Sequence, residues 1–137
     1  HIDLTVKNEK GEITTYLNAL KTKFKGNFIH FTNVIVNILD NALKYSEKKP
    51  VIKIITADHD DGVELKISDE GIGMDVKTQK HIFEKFYRQQ SGDIHNIKGH
   101  GLGLSYVKKI VEIHGGDILI NSKVKYGTTF LIKLPCF

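Results

Sequence analysis

The chain has 137 residues, of which 40% are hydrophobic and 26% charged, a composition typical of one globular domain with a core. The net charge of +4 is modest and the lysines are spread out, so we expect no nucleic-acid partner. The single cysteine, Cys136, excludes an internal disulfide, and no apolar run approaches the roughly 20 residues of a membrane span. The sequence begins at His1 without a signal-peptide pattern, and we expect one domain, residues 1–137, of a longer protein.

The first part of the chain shows the alternation of apolar and polar residues that favours β-strands. Residues 2–7 and 12–17 both alternate, and the turn residues 8–11 between them predict a hairpin. We also expect a short strand at residues 22–25.

Residues 28–45 predict a helix that is apolar almost all round, and such a helix is buried. A narrow polar stripe, within roughly 80° of arc, must then face something polar inside the protein. The stripe consists of His30, Asn33, Asn37, Asn41 and Lys44. Asparagine is a poor residue for a helix interior. Two amide oxygens one turn apart, with a lysine beyond them, suit a hard cation and a polyphosphate. A solvated stripe on a half-exposed helix is the alternative.

A pair of strands comes next, at residues 51–57 and 63–68, with a turn at 59–62 that includes His59. Asp69 follows directly, in the pattern Asp69-Glu-Gly71-Ile72-Gly73. A carboxylate held at the end of a strand suits an exocyclic amine, as on adenine, and the glycines let the backbone approach a flat ligand. An ordinary Asp-Gly turn is the alternative.

Residues 74–98 lack a steady period, apart from a short amphipathic piece at 79–87. A long irregular segment within a compact domain is usually a lid or a binding loop, and we place a lid at about residues 74–100. Gly99, Gly101 and Gly103 end it, and backbone N–H groups there suit a phosphate at a helix N-terminus. Their spacing does not fit the dinucleotide fingerprint.

A second helix is predicted at residues 102–113, followed by a Gly115 cap and by strands at 117–121 and 128–134 around a turn at 125–127. We expect its buried side to hold Leu104, Val107, Ile110 and Val111. The fold class is therefore α+β, a two-layer sandwich with a mixed sheet and helices on one face.

Four segments, in this order, resemble the N box, first glycine box, F box and second glycine box of the catalytic ATP-binding domain of sensor histidine kinases, in the GHKL ATPase superfamily. They are residues 37–46, 69–73, 82–88 and 99–104. The resemblance covers nearly the whole chain, and the ordered set is specific although each motif alone is weak. It implies a Bergerat fold, with a mostly antiparallel sheet, that binds Mg-ATP under a mobile lid.

The resemblance also implies a role for each matching residue. Asn41 is expected to ligate Mg²⁺, with Asn37 nearby on the metal and phosphates, while Lys44 neutralises phosphate charge. Tyr45 packs on the adenine, and Asp69 receives its amine, helped by Thr128 through water. The first glycine box, Gly71, Ile72 and Gly73, lies beside the base. The remaining expected contacts are Arg88 of the lid at the γ-phosphate and, where the lid meets the second helix, the second glycine box beside the phosphates: Gly99, His100, Gly101, Leu102, Gly103 and Leu104. Phe83 and Phe86 are expected to anchor the lid.

The expected reaction needs other domains. None of the seven histidines is followed by an acid within a predicted helix, so we expect the acceptor histidine on a separate helix hairpin that dimerises in the full-length protein. A response regulator receives the phosphoryl group later. We expect the isolated domain to be monomeric and cytoplasmic, and its parent to be membrane-anchored. The alternatives are a degenerate nucleotide-binding or docking module, and another GHKL ATPase or serine kinase.

Two positions depart from the family pattern. Asn27 stands where an acid usually begins the first helix, although Asn caps helices as well as Asp. His100 stands where a Thr or an apolar residue is common.

Overall fold

One five-stranded sheet forms the framework of the protein. The structure is a computed structural model and describes residues 10–21, 23–87 and 103–136. Its strands are β1 (Glu12–Leu17), β2 (Val51–His59), β3 (Gly62–Asp69), β4 (Asp117–Lys123) and β5 (Gly127–Pro135). They lie in the order β1-β2-β3-β5-β4; β1 pairs with β2 in parallel and the other neighbours are antiparallel. The mixed, mostly antiparallel sheet is confirmed.

Three helices are described: α1 (Phe28–Lys44), α2 (Val76–His81) and α3 (Gly103–Ile113). Helices α1 and α3 pack on one face of the sheet. Every second residue of the strands points toward this face and packs against the helices. The largest fully buried side chains of this layer are Val34 and Ile38 of α1, Val107 and Val111 of α3, and Ile52, Ile67 and Ile132 of the sheet. The expected two-layer arrangement is confirmed.

Helix α1 begins and ends where its sequence provides caps. The Asn27 side chain accepts hydrogen bonds from the backbone N–H groups of Ile29 and His30, at 2.8 and 3.2 Å. Ser46 Oγ donates to the carbonyl of Ala42 at 2.8 Å, near the other end. The asparagine that replaces the usual acid therefore caps the helix, as expected.

Helix α3 confirms its predicted buried side, since Leu104, Val107, Ile110 and Val111 are its buried residues. Its C-terminus is closed by a Schellman motif: the N–H groups of Gly115 and Gly116 donate to the carbonyls of Glu112 and Val111, both at 3.0 Å. The predicted Gly115 cap is confirmed.

Several predictions are corrected. Helix α1 is not buried almost all round, because Phe28 and Ile29 are 84% and 67% exposed, and Asn33 and Lys44 of its polar stripe face solvent. Residues 23–25 are not a strand; instead Phe24 packs edge-on against Phe31 of α1, with ring centroids 4.5 Å apart. Helix α2 begins three residues before the predicted amphipathic piece and ends at His81, because Asp75 accepts from the Thr78 N–H at 2.7 Å and starts it earlier. His59 is the last residue of β2 and not part of the turn. The predicted strand at residues 2–7 lies outside the described residues.

Within the described residues, none of the helices combines the length and the hydropathy needed to cross a membrane.

Candidate functional site

A pocket opens between the helix layer and one end of the sheet, with about 330 Å³ of empty space. Its lining residues are Asn41, Tyr45, Asp69, Gly73, Met74, Ile82, Leu104, Thr128 and Phe130. Six of these were singled out in the sequence. The pocket brings together the C-terminal half of α1, the end of β3, the start of β5 and the start of α3.

Asp69 is held at the end of β3, opposite Thr128 in the ladder between β3 and β5. Its Oδ1 accepts a hydrogen bond from the Gly71 N–H at 2.8 Å. Burial raises the pKa of the Asp69 carboxyl above its usual value of 3.8, and hydrogen bonds from the backbone N–H groups of Gly71 and Thr128 oppose that rise. The carboxyl is thus fixed in position and able to accept further hydrogen bonds.

The first glycine box is clamped between α1 and the turn that joins β4 to β5. Ile72 N–H donates to the Tyr45 carbonyl at 3.0 Å, and the Ile72 carbonyl accepts from the Lys125 N–H at 2.7 Å. Gly73 has φ +69°, and a Cβ there would clash with the backbone of Lys123. This explains physically why the motif needs glycine at position 73.

Ser122 of β4 is a polar centre beside the pocket that the sequence analysis missed. Its Oγ donates to the Gly127 carbonyl at 2.9 Å and accepts from the Met74 N–H at 2.8 Å. It also lies 2.8 Å from Thr128 Oγ1. The signal that could have revealed it is the pairing of Ser122 with Thr128 across the hairpin, but that register depends on the turn length.

Asn37 forms the link between α1 and the start of α3. Its Nδ2 donates to the Asn33 carbonyl at 2.7 Å. A Cβ on Gly103 would lie 2.7 Å from Asn37 Oδ1, so the missing side chain lets the two helices approach at this point. His30 Nδ1 and Tyr106 Oη, 2.9 Å apart, form a second link between the same helices.

The other predicted residues fall into two groups. Lys44 is exposed at the end of α1 and does not line the pocket, while Gly71 and Ile72 lie in the clamped loop beside it. The remaining predicted site residues lie outside the described residues: Arg88, Gly99, His100, Gly101 and Leu102.

The two F-box phenylalanines, Phe83 and Phe86, differ in burial. Phe83 is partly buried, packs edge-on against Phe130 with centroids 6.4 Å apart, and has Lys108 Nζ 5.5 Å above its ring. Phe86 is 73% exposed. Three apolar lining residues were not predicted as part of the site: Met74, Ile82 and Phe130.

Known proteins share the sequence pattern and the fold of this chain. The family described as histidine kinase-, DNA gyrase B-, and HSP90-like ATPase matches residues 26–136. Sensor protein RprX of Bacteroides fragilis is 42% identical over 136 residues, which cover 96% of this chain and 26% of that protein. The signal transduction histidine-protein kinase ArlS of Staphylococcus aureus is 36% identical over 130 residues, 95% of this chain and 26% of that protein.

Among solved structures, the mycobacterial sensor histidine kinase MprB has a TM-score of 0.77 at 27% identity, over 98% of this chain and 93% of that one. The two-layer sandwich is thus of the class found in sensor histidine kinases. The chain belongs to the histidine kinase-, DNA gyrase B- and HSP90-like ATPase family. The family and fold expected from the sequence motifs are confirmed. The chain spans about a quarter of the length of the curated relatives it matches.

Proposed function

We propose that the chain is the catalytic domain of a sensor histidine kinase, which binds Mg-ATP in the pocket and supplies the γ-phosphoryl group to a histidine on a separate phosphoacceptor domain. The observation that carries the proposal is the convergence of Asn41, Asp69 and Thr128, from three different elements, on one pocket. A small change in any one of these elements would separate them.

The base end of the pocket suits adenine. Asp69 offers a fixed carboxyl for an exocyclic amine, and Thr128 lies across the ladder from it. The apolar side chains of Met74, Ile82 and Phe130 line the same space, as a planar base requires. Tyr45 adds an aromatic ring.

The polyphosphate end is supported by the donor set on α1. Asn41 lines the pocket, and Asn37 lies one turn before it with its amide oxygen toward Gly103. Neutral amide oxygens fit Mg²⁺, which keeps several waters and is held largely by the phosphates. Bound Mg²⁺ supplies charge neutralisation during phosphoryl transfer. Lys44 is exposed near this end, where its side chain is free to extend toward phosphate.

The transfer step asks the protein chiefly to position the donor and to stabilise charge, because the acceptor imidazole is itself the nucleophile. In our proposal Arg88 and the second glycine box complete this positioning from the lid. The acceptor lies on a dimerising helix hairpin, and a response regulator takes the phosphoryl group from it. The names of RprX and ArlS, a sensor protein and a signal transduction histidine-protein kinase, support a place in signal transduction. In our proposal the pathway is of the two-component type and the parent protein is membrane-anchored.

The direct test mixes the chain with the phosphoacceptor hairpin of its own parent protein and labelled Mg-ATP. We expect an acid-labile label on the hairpin, and none when either partner or the metal is left out. Absence of the label above the hairpin-only control would contradict the proposal.

Calorimetry with a non-hydrolysable ATP analogue distinguishes the proposed kinase domain from a degenerate docking module. The proposal predicts a binding heat that depends on Mg²⁺, whereas a docking module gives no metal-dependent heat.

A further inference from the structure

We propose that Ser122 fixes the direction of the Thr128 hydroxyl hydrogen, and that this makes the pocket select a purine with an amino group at position 6 over one with an oxo group. Ser122 is in this view a positioning residue for base specificity, acting through Thr128. The inference rests on the proposed function, since it concerns the base end of the same pocket.

Ser122 Oγ has three hydrogen-bond partners, and their chemistry fixes which of them donate. A serine hydroxyl has one hydrogen and two lone pairs. The Gly127 carbonyl can only accept, so at 2.9 Å it takes the Ser122 hydrogen. The Met74 N–H can only donate, so at 2.8 Å it occupies one lone pair. The second lone pair is left for Thr128 Oγ1 at 2.8 Å, and Thr128 must be the donor in that contact.

The direction of this hydrogen decides what the Thr128 hydroxyl offers to the pocket. Thr128 is a buried polar residue, 7% exposed, and lines the pocket. With its one hydrogen directed at Ser122, the hydroxyl has only lone pairs left for a ligand or a bridging water. The ionised form of Asp69, its partner in the ladder, also only accepts. Two neighbouring acceptors complement an amine, while an oxo group would face them without a donor.

The loop beside Ser122 is held by more than the serine hydroxyl. The Gln79 side chain donates to the carbonyls of Met74 at 2.9 Å and of Ser122 at 3.0 Å. Both acceptors are backbone atoms, which Ser122→Ala retains. The β4–β5 ladder also pairs Ser122 with Thr128 through the main chain. We therefore expect the variant to keep the hairpin. It loses the direction of the Thr128 hydroxyl, and it also loses the hydrogen bonds of Ser122 Oγ with the Met74 N–H and the Gly127 carbonyl, which should affect the affinities for both nucleotides alike.

The experiment compares the affinities of the chain for non-hydrolysable analogues of ATP and of inosine triphosphate, which has an oxo group at position 6 and a hydrogen on N1 and otherwise matches ATP. We expect the wild type to prefer the ATP analogue. Ser122→Ala should lower the ratio of the two affinities about 3- to 10-fold, the value of one hydrogen bond. Ser122→Thr keeps a hydroxyl and should keep the ratio.

The chain offers a matched control on the other face of the sheet. Ser68 Oγ and Thr129 Oγ1 lie 2.9 Å apart, in another pair of hydroxyls across antiparallel strands. Neither residue lines the pocket. Ser68→Ala should therefore leave the ratio unchanged, even where it lowers the affinity for both nucleotides through stability.

A second measurement keeps the inference testable if Ser122→Ala folds poorly. Thr128→Val removes the hydroxyl itself and should lower the ratio by a similar factor, and adding Ser122→Ala to it should then change nothing more. Additive effects would overturn the inference, because Ser122 would not act through Thr128. An unchanged ratio in Ser122→Ala, with the wild type preferring the ATP analogue, would overturn this inference alone. A wild type that binds both analogues equally would also overturn it, and one that binds neither would overturn the proposed function with it.

Discussion

The two ends of the pocket are built in different ways. At the base end, Asp69 and Thr128 are held by ladder pairing, burial and a network of hydrogen bonds that includes Ser122. At the other end, Asn37 and Lys44 project from one face of α1, and Lys44 is exposed. Changes at the base end should therefore affect both folding and binding, whereas changes on the α1 face should affect function with little effect on stability.

The largest effect is expected from Asn41→Asp, which puts a negative charge beside the proposed metal and phosphate site. We expect phosphorylation of the hairpin to fall about 100-fold or more, equal to roughly 2.7 kcal/mol of transition-state stabilisation. The melting temperature without nucleotide should change little.

Asn33→Asp is the matched control for that variant. Asn33 lies two turns earlier on the same polar stripe. It is exposed and does not line the pocket. Equal losses in the two variants would mean that the charge acts at long range and that Asn41 has no special position.

The second effect concerns Asp69→Asn, which keeps an oxygen for the Gly71 N–H but removes the negative charge. We expect ATP affinity to fall about tenfold or more, since hydrogen bonds to charged groups contribute roughly 1.5–3 kcal/mol. Calorimetry measures the loss.

The raised pKa of Asp69 gives the same variant two pH signatures. Wild-type affinity should decrease as pH falls through the raised pKa, where the carboxyl gains a proton and stops being a pure acceptor; the affinity of Asp69→Asn should lack this decrease. For stability, a carboxyl with a raised pKa in the folded state favours folding below its unfolded pKa, and that contribution is lost as pH rises through the folded value. At neutral pH, Asp69→Asn should therefore be at least as stable as the wild type. A variant less stable than the wild type at neutral pH, with the decrease in affinity retained, would contradict this account of Asp69.

The difference between the two ends also explains what the sequence could predict. The polar stripe of α1 follows from helical period alone, and the structure keeps its members on one helix (Phe28–Lys44). The buried side of α3 was predictable for the same reason. The side of a helix on which a residue lies depends only on its spacing from residues three and four positions away in the sequence.

The base end could not be derived in the same way. Thr128 faces Asp69 only because β5 pairs with β3 across 59 positions of the chain, and no local pattern specifies that register. The same holds for Ser122, which gains its role from contacts with Met74 and Thr128. The ordered family motifs, and not the local physics, placed Thr128 in the predicted site.

The third prediction concerns the close approach of α1 and α3 at Asn37 and Gly103. In Gly103→Ala the new Cβ would lie 2.7 Å from Asn37 Oδ1, so the amide must move. We expect nucleotide affinity to fall about threefold while the melting temperature stays within a few degrees. The effect should disappear when Asn37 is already alanine; persistence of the effect there would show that Asn37 is not the group displaced.

The smallest functional effect is expected at the far end of α1, at Asn27. Asn27→Ala removes the cap that accepts from the Ile29 and His30 N–H groups and should lower the free energy of unfolding by about 1 kcal/mol. Asn27→Asp restores the acid usual in the family and should raise stability by a few tenths of a kcal/mol, through the helix dipole. Urea titrations measure both changes, and ATP affinity should be the same in both variants because Asn27 does not line the pocket. A clear change in affinity would mean that the cap controls the whole length of α1, so that the two ends of this helix are coupled.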